Sequence, residues 1–93
     1  MKQSLSIIVP TWNEEGNITR LVERIHAALI GRKILYEIII VDDHSTDNTQ
    51  TIALQLAKQY PLLFTIKKGK QGKAHSLVEG FSHAKHEILC MID

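Results

Sequence analysis

Cysteine is nearly absent: Cys90 stands alone, so no internal disulfide can form, which fits a reducing compartment. Charge of one sign is missing too. Eleven basic residues against ten acidic ones leave a formal charge of +1, which excludes a nucleic-acid binder built on bulk charge. No apolar stretch approaches a membrane span, and Met1-Lys2-Gln3-Ser4 leads straight into a strand pattern, so a cytoplasmic chain is expected. There is no internal repeat, low-complexity tract or linker, and 93 residues bound the chain to one small domain with a modest core. Two phosphate motifs also fail. Gly72-Lys73 is followed by Ala74, where a P-loop needs a hydroxyl for magnesium. Thr11-Trp12-Asn13-Glu14-Glu15 stands where a dinucleotide fold needs its glycines. His26, His44, His75, His83 and His86 form no zinc-ligand pattern.

The chain is organised around the stretch from Tyr36 to Thr49. Ile38-Ile39-Ile40-Val41 has the β-branched composition of a strand buried on both faces, as in a parallel sheet. It stops on Asp42-Asp43, followed by Ser45, Thr46, Asp47 and Asn48, all residues that favour turns and helix amino ends. One acid would suffice as a cap. Two in a row, with Ser and Thr still available, point to a ligand site at the carboxyl edge of the sheet.

Around this stretch the elements fall in order. Leu5 to Pro10 reads as a first strand, and the apolar positions Ile18, Leu21, Val22, Ile25 and Leu29 recur at helical spacing. Gly31 is the expected helix stop, with Arg32 and Lys33 suited to a helix carboxyl end. After the second strand, Ser45 or Thr46 is expected to cap a helix with Ile52, Ala53, Leu56 and Tyr60 on its inner face, ended by Pro61. Leu62 to Ile66 is the third strand. A third helix carries Ala74, Leu77, Val78, Phe81 and Ala84, and Glu87 to Ile92 is the fourth strand. The βαβαβαβ pattern predicts an α/β fold: a parallel sheet with helices on both faces and strand four beside strand one. A topological switch then lies near Pro10 and Asp93. A fourth strand ending on Asp93 without a following crossover is expected to be the first part of a longer domain.

Three polar clusters share the acidic edge: Thr11 to Glu15, Asp42-Asp43, and Asp93. Hard divalent cations prefer carboxylate oxygens and bridge to phosphates, so this edge suits a nucleoside diphosphate. Either Asp42 or Asp43 can accept hydrogen bonds from a base or ribose. Trp12 either covers the core or offers a stacking face. The basic run Lys67-Lys68-Gly69-Lys70-Gln71-Gly72-Lys73 is expected at the opposite end of strand three, reaching an anion only through long side chains or a helix amino end.

These residues resemble the family 2 glycosyltransferases, with their GT-A nucleotide-sugar domain. The matching segments are Ser6 to Glu15, Glu37 to Thr49, Gly72-Lys73 through Gly80-Phe81 and Ala84, and Met91-Ile92-Asp93, in order along essentially the whole chain. The nearest likeness is to the polyprenyl-phosphate sugar transferases. The resemblance implies that residues 1–93 are the N-terminal, nucleotide-sugar-binding part of a glycosyltransferase domain. It implies a nucleotide pocket from Pro10, Trp12 and Glu14, with Val41 and Asp43 at base and ribose; Asp42 and Lys73 join the expected nucleotide-binding set from the residues themselves. Asp93 would be the first acid of a D-x-D motif holding Mg2+ or Mn2+, which offsets charge on the leaving diphosphate. A UDP- or GDP-sugar donor follows, with a lipid phosphate as acceptor and, for the full-length enzyme, a place at the cytoplasmic membrane face. No nucleic-acid partner is implied. Trp12 stands where the family usually has tyrosine, and the second acid and the catalytic base fall past Asp93, so the chain alone is expected to be inactive. The alternative is a response-regulator receiver domain with Asp93 as phosphoacceptor, although a receiver begins with the acidic strand and here a strand and helix precede it. Self-association through the edge of strand four is a further expectation.

Overall fold

The computed structural model describes residues 4–68 and 79–90. The chain runs β1 (Ser4–Thr11), α1 (Ile18–Ile30), β2 (Leu35–Asp42), α2 (Thr49–Leu56), β3 (Leu62–Ile66) and β4 (Glu87–Cys90), with residues 79–81 helical before β4. The four strands form one sheet in the order β3-β2-β1-β4, every neighbouring pair parallel. This is the predicted α/β arrangement, with the switch between β1 and β4.

Alternation along the central strands builds two cores. Ile7 and Val9 of β1 and Ile38 and Ile40 of β2 face α1 and α2, where Ile18, Val22, Ile25, Ala53 and Leu56 complete the larger cluster. Ile8, Ile39 and Val41 point the other way and pack with Ala84. Ile8, Ile38, Ile39, Ile40 and Val41 are all fully buried; each such side chain stabilises the fold by roughly 1.5–3 kcal/mol. The second face is tight. A Cβ placed on Gly80 would collide with Ile8 Cγ2 and lie 3.3 Å from Val41 Cγ2, so only glycine lets this backbone approach.

A polar latch pins the approach to β4. Buried Ser6 donates to Glu37 Oε2 at 2.5 Å, and the Lys85 amide donates to the same oxygen at 2.7 Å. The His86 amide donates to Ser6 Oγ at 3.0 Å. The turn before β4 is therefore tied to both central strands. On the helical face, His26 Nδ1 shares a 2.6 Å hydrogen bond with Tyr36 Oη, and the His26 ring meets Tyr60 edge-on at 5.1 Å. Burial, and then the neighbouring Tyr60, push the Tyr36 hydroxyl above its usual range.

α1 stops at Gly31 as expected, but Gly31 stays right-handed at φ −66°, and Lys33, at φ 56°, takes the left-handed position. Two local expectations are corrected. The residue at the amino cap of α2 is Asn48, not Ser45 or Thr46, whose side chains bond elsewhere. α2 ends at Leu56, so Tyr60 reaches the core from beyond the helix. Ala74, Leu77 and Val78 of the expected third helix lie outside the described residues.

Candidate functional site

Parallel strands deliver their carboxyl ends to one edge, and register fixes what meets there. Pro10 pairs with Val41 and Thr11 with Asp42, while the Asp43 amide donates to Thr11 O at 2.9 Å. The loop after β1 and the loop after β2 thus leave the sheet side by side.

The two acids part at this point. Asp42, 2 % exposed, turns toward the α1/α2 side and is spent on the frame. Its Oδ1 accepts the Thr11 hydroxyl at 2.7 Å and the Ser45 hydroxyl at 2.6 Å, and its Oδ2 accepts the Ser45 amide at 2.8 Å. Asp43, one residue on, falls on the opposite face by alternation. Its side chain keeps 18 % of its surface exposed, and its Oδ1 lies 3.8 Å from Nζ of Lys67.

Hydroxyls and carboxylates of the second loop brace the first. Ser45 Oγ accepts the Asn13 amide at 2.8 Å, and Asn13 Oδ1 accepts the Thr46 amide at 2.8 Å. Thr49 Oγ1 accepts the Glu14 amide at 2.8 Å and donates to Asp47 Oδ1. Asp47 Oδ2 accepts the Glu15 amide, and Glu15 Oε2 accepts the Asn48 amide, each at 3.2 Å. Desolvation raises the Asp47 carboxyl, but bonds from the Thr49 hydroxyl and amide and the Glu15 amide outweigh it and hold the group below its usual range. Asn13 and His44 sit in left-handed conformations, φ 51° and 61°, within these two loops. Such backbone persists where its surroundings over-determine it, and it gathers at binding loops.

The residues expected at the site divide accordingly. Pro10 and Glu14 line a small cleft with Val9, Thr11, Asn17, Ile18 and Leu21. Trp12 is 60 % exposed at the rim, so it does not cover the core. Val41 is close at hand, but its side chain is packed in the second core. Both carboxylate oxygens of buried Asp42 are bonded within the protein. Lys73 and Asp93 lie outside the described residues, as do Lys70 and Met91-Ile92.

The placement of the basic run is corrected at its first residues. Ile66 pairs with Asp42, and the Lys67 amide donates to Asp42 O at 2.8 Å, which brings Lys67 to the same edge as the acids. Lys67 is 1 % exposed, among the most buried large side chains of the described residues. The sequence pattern puts Lys67 at the opposite end of the strand and reads Ser45 only as a helix cap; it places Thr11 at the acidic edge but does not foretell its bond to Asp42. Parallel strand direction alone was signal enough for Lys67.

The comparisons with known proteins agree with this geometry. Residues 6–93 match the family model described as glycosyl transferase family 2. The chain belongs to that family. It is 35 % identical over 89 residues to a dolichol-phosphate mannosyltransferase of Pyrococcus furiosus, covering 96 % of this chain and 25 % of that protein. The chain thus spans about a quarter of the length of this curated relative. Among solved structures, S. aureus TarS 1-349 in complex with UDP-GlcNAc superposes with a TM-score of 0.71 at 28 % identity, over 99 % of this chain and 26 % of that one. Glucosyl-3-phosphoglycerate synthase of Mycobacterium tuberculosis, solved with Mn2+, UDP and glucosyl-3-phosphoglycerate, gives 0.73 at 20 % identity, over 97 % and 33 %. The fold is that of the GT-A glycosyltransferases. The receiver-domain alternative finds no support: the family match runs through the β1 and α1 segment that a receiver lacks. Among the described residues no helix is long and apolar enough to cross a membrane.

Proposed function

We propose that the protein carrying this chain is a glycosyltransferase that moves a sugar from a nucleoside-diphosphate donor, and that residues 1–93 supply its donor-binding part. The observation that carries the reading is Asp43: an acid held at the carboxyl edge of a parallel sheet, with 18 % of its side chain exposed, beside a braced loop that presents Trp12. Its carboxylate accepts hydrogen bonds from the ribose or base, and Trp12 offers a face for the base to stack on. Pro10 and Glu14 flank Trp12 along the same stretch of chain. Asp42 enters as the residue that holds Thr11 and Ser45 in place, and Val41 as the core contact that seats Asp43. Lys73 completes the set on the anion side.

Mg2+ or Mn2+ at Asp93 belongs to the same reading. The described residues hold no group of three His, Cys, Asp or Glu able to ligate a cation, so they do not form a metal site by themselves. A polyprenyl phosphate is the acceptor this reading favours, by likeness to the dolichol-phosphate enzyme, with action at the cytoplasmic face of a membrane. Self-association through the β4 edge has no support among these observations.

Calorimetric titration of UDP and GDP, each with and without Mn2+, tests the proposal. One of the two is expected to bind, and Asp43→Ala is expected to raise its Kd about tenfold or more, the loss of a charge-assisted bond. Failure of both nucleotides to bind the folded protein would overturn the donor-site reading.

A further inference from the structure

Lys67 is the least expected feature of the site. Lysine is almost never fully buried without a paired charge, and a well-packed apolar residue at such a position is commonly as stable or more so. Its placement follows from the sheet. Val41 pairs with Thr65 and Asp42 with Ile66, so Asp43 and Lys67 come next on their strands and extend to the same face. The Lys67 main chain is clamped on both sides. Its own amide bonds to Asp42 O at 2.8 Å, and the Lys68 amide donates to both carboxylate oxygens of Glu79 at 2.9 and 3.0 Å.

With 0 % of its side chain exposed, the ammonium does not reach solvent, whereas the Asp43 side chain keeps 18 % exposed. The Asp43 oxygen nearest Lys67, Oδ1 at 3.8 Å, is itself buried. From this we infer that Lys67 is a positioning residue for Asp43. It draws one carboxylate oxygen inward and fixes the rotation of the group before a ligand arrives. It also offsets a negative charge that would otherwise repel a nucleoside diphosphate at close range. A carboxylate ordered in advance loses less entropy on binding than a free one. The inference rests on the donor-site reading and deepens it: Lys67 serves nucleotide affinity through Asp43, without touching the nucleotide.

The experiment is a double-mutant cycle on Kd for UDP and GDP, with the unsubstituted protein, Lys67→Met, Asp43→Asn and the double variant, each checked for fold by near-UV circular dichroism. Lys67→Met is expected to weaken binding about tenfold. The double variant should bind no more weakly than Asp43→Asn alone, because the effect passes through Asp43. An unchanged Kd in folded Lys67→Met, or losses that multiply in the double variant, would overturn the inference. A measurement without substitution guards against variants that do not fold. The 15N resonance of the Lys67 ammonium should move when nucleotide saturates the unsubstituted protein, and a resonance that stays put counts against the inference. If the unsubstituted protein binds neither nucleotide, the donor-site reading fails and this inference with it. If it binds and Lys67 proves indifferent, only the inference fails.

Discussion

Asp42 and Asp43 are neighbours in the chain and opposites in the fold. Asp42 faces the α1/α2 side and closes three hydrogen bonds within the protein, to the Thr11 hydroxyl and to the hydroxyl and amide of Ser45. Asp43 faces the other side, paired with Lys67 and partly open. A single carboxylate cannot both lock two loops together and stay available to a ligand. The doublet separates these tasks by one step of the strand, and the frame built by Asp42 decides where Asp43 stands.

Asp42→Ala is expected to lower stability by about 3 kcal/mol, since it strands the part-buried Ser45 amide and two hydroxyls together. Asp42→Asn keeps one acceptor oxygen and should cost less, about 1–2 kcal/mol. Urea denaturation followed by circular dichroism measures both. A loss under about 1 kcal/mol for the alanine variant would mean that the crossing of the loops does not depend on this carboxylate.

Glu37 carries a pH dependence whose sign follows from its partners. Burial alone would raise its carboxyl, but the Ser6 hydroxyl, the Lys85 amide and the charges of His86 and Lys85 outweigh burial and hold it below the ordinary 4.5. A carboxyl depressed in the folded state contributes its full stability above the unfolded value and loses it as pH falls through the folded one. The stability gap between the unsubstituted protein and Glu37→Gln is therefore expected to be widest at neutral pH. It should narrow as pH falls below 4.5. Paired urea titrations across that range measure the gap, and a gap independent of pH would show that the latch does not rest on an ionised Glu37.

Much of this was legible in the chain. The β-branched run from Ile38 to Val41 announced a central parallel strand, and the alternation of pattern and crossover announced the strand order. The same period of two, carried one step past Val41, separates Asp42 from Asp43 as well. The braces were less legible for a physical reason: Ser45, Thr46, Asp47 and Thr49 are good local caps, and local chemistry alone assigns them to α2. Their partners Asn13, Glu14 and Glu15 lie 32 to 35 positions away, so the register of β1 on β2 decides the outcome. Lys67 was hidden by its company. A run of lysines and glycines reads as solvated, yet its first member is still in step with the strand and is carried into the interior.

The two left-handed residues of the site separate strain from bonding. His44, at φ 61°, is exposed, and no side-chain hydrogen bond holds it among the described residues. Its conformation costs about 1–2 kcal/mol for a residue with a Cβ, against about 0.5–1 kcal/mol of extra chain entropy for glycine. His44→Gly is thus expected to stabilise the fold by about 0.5–1 kcal/mol. Asn13, at φ 51°, is in the same region, but its Oδ1 accepts the Thr46 amide at 2.8 Å. Asn13→Gly relieves the backbone and loses that brace, a net cost of about 1 kcal/mol, since asparagine tolerates this conformation well. Thermal or urea melts of the two variants should shift in opposite directions. If both stabilise, the Asn13–Thr46 bond contributes nothing to the crossing of the loops; if both destabilise, His44 is held by more than its backbone.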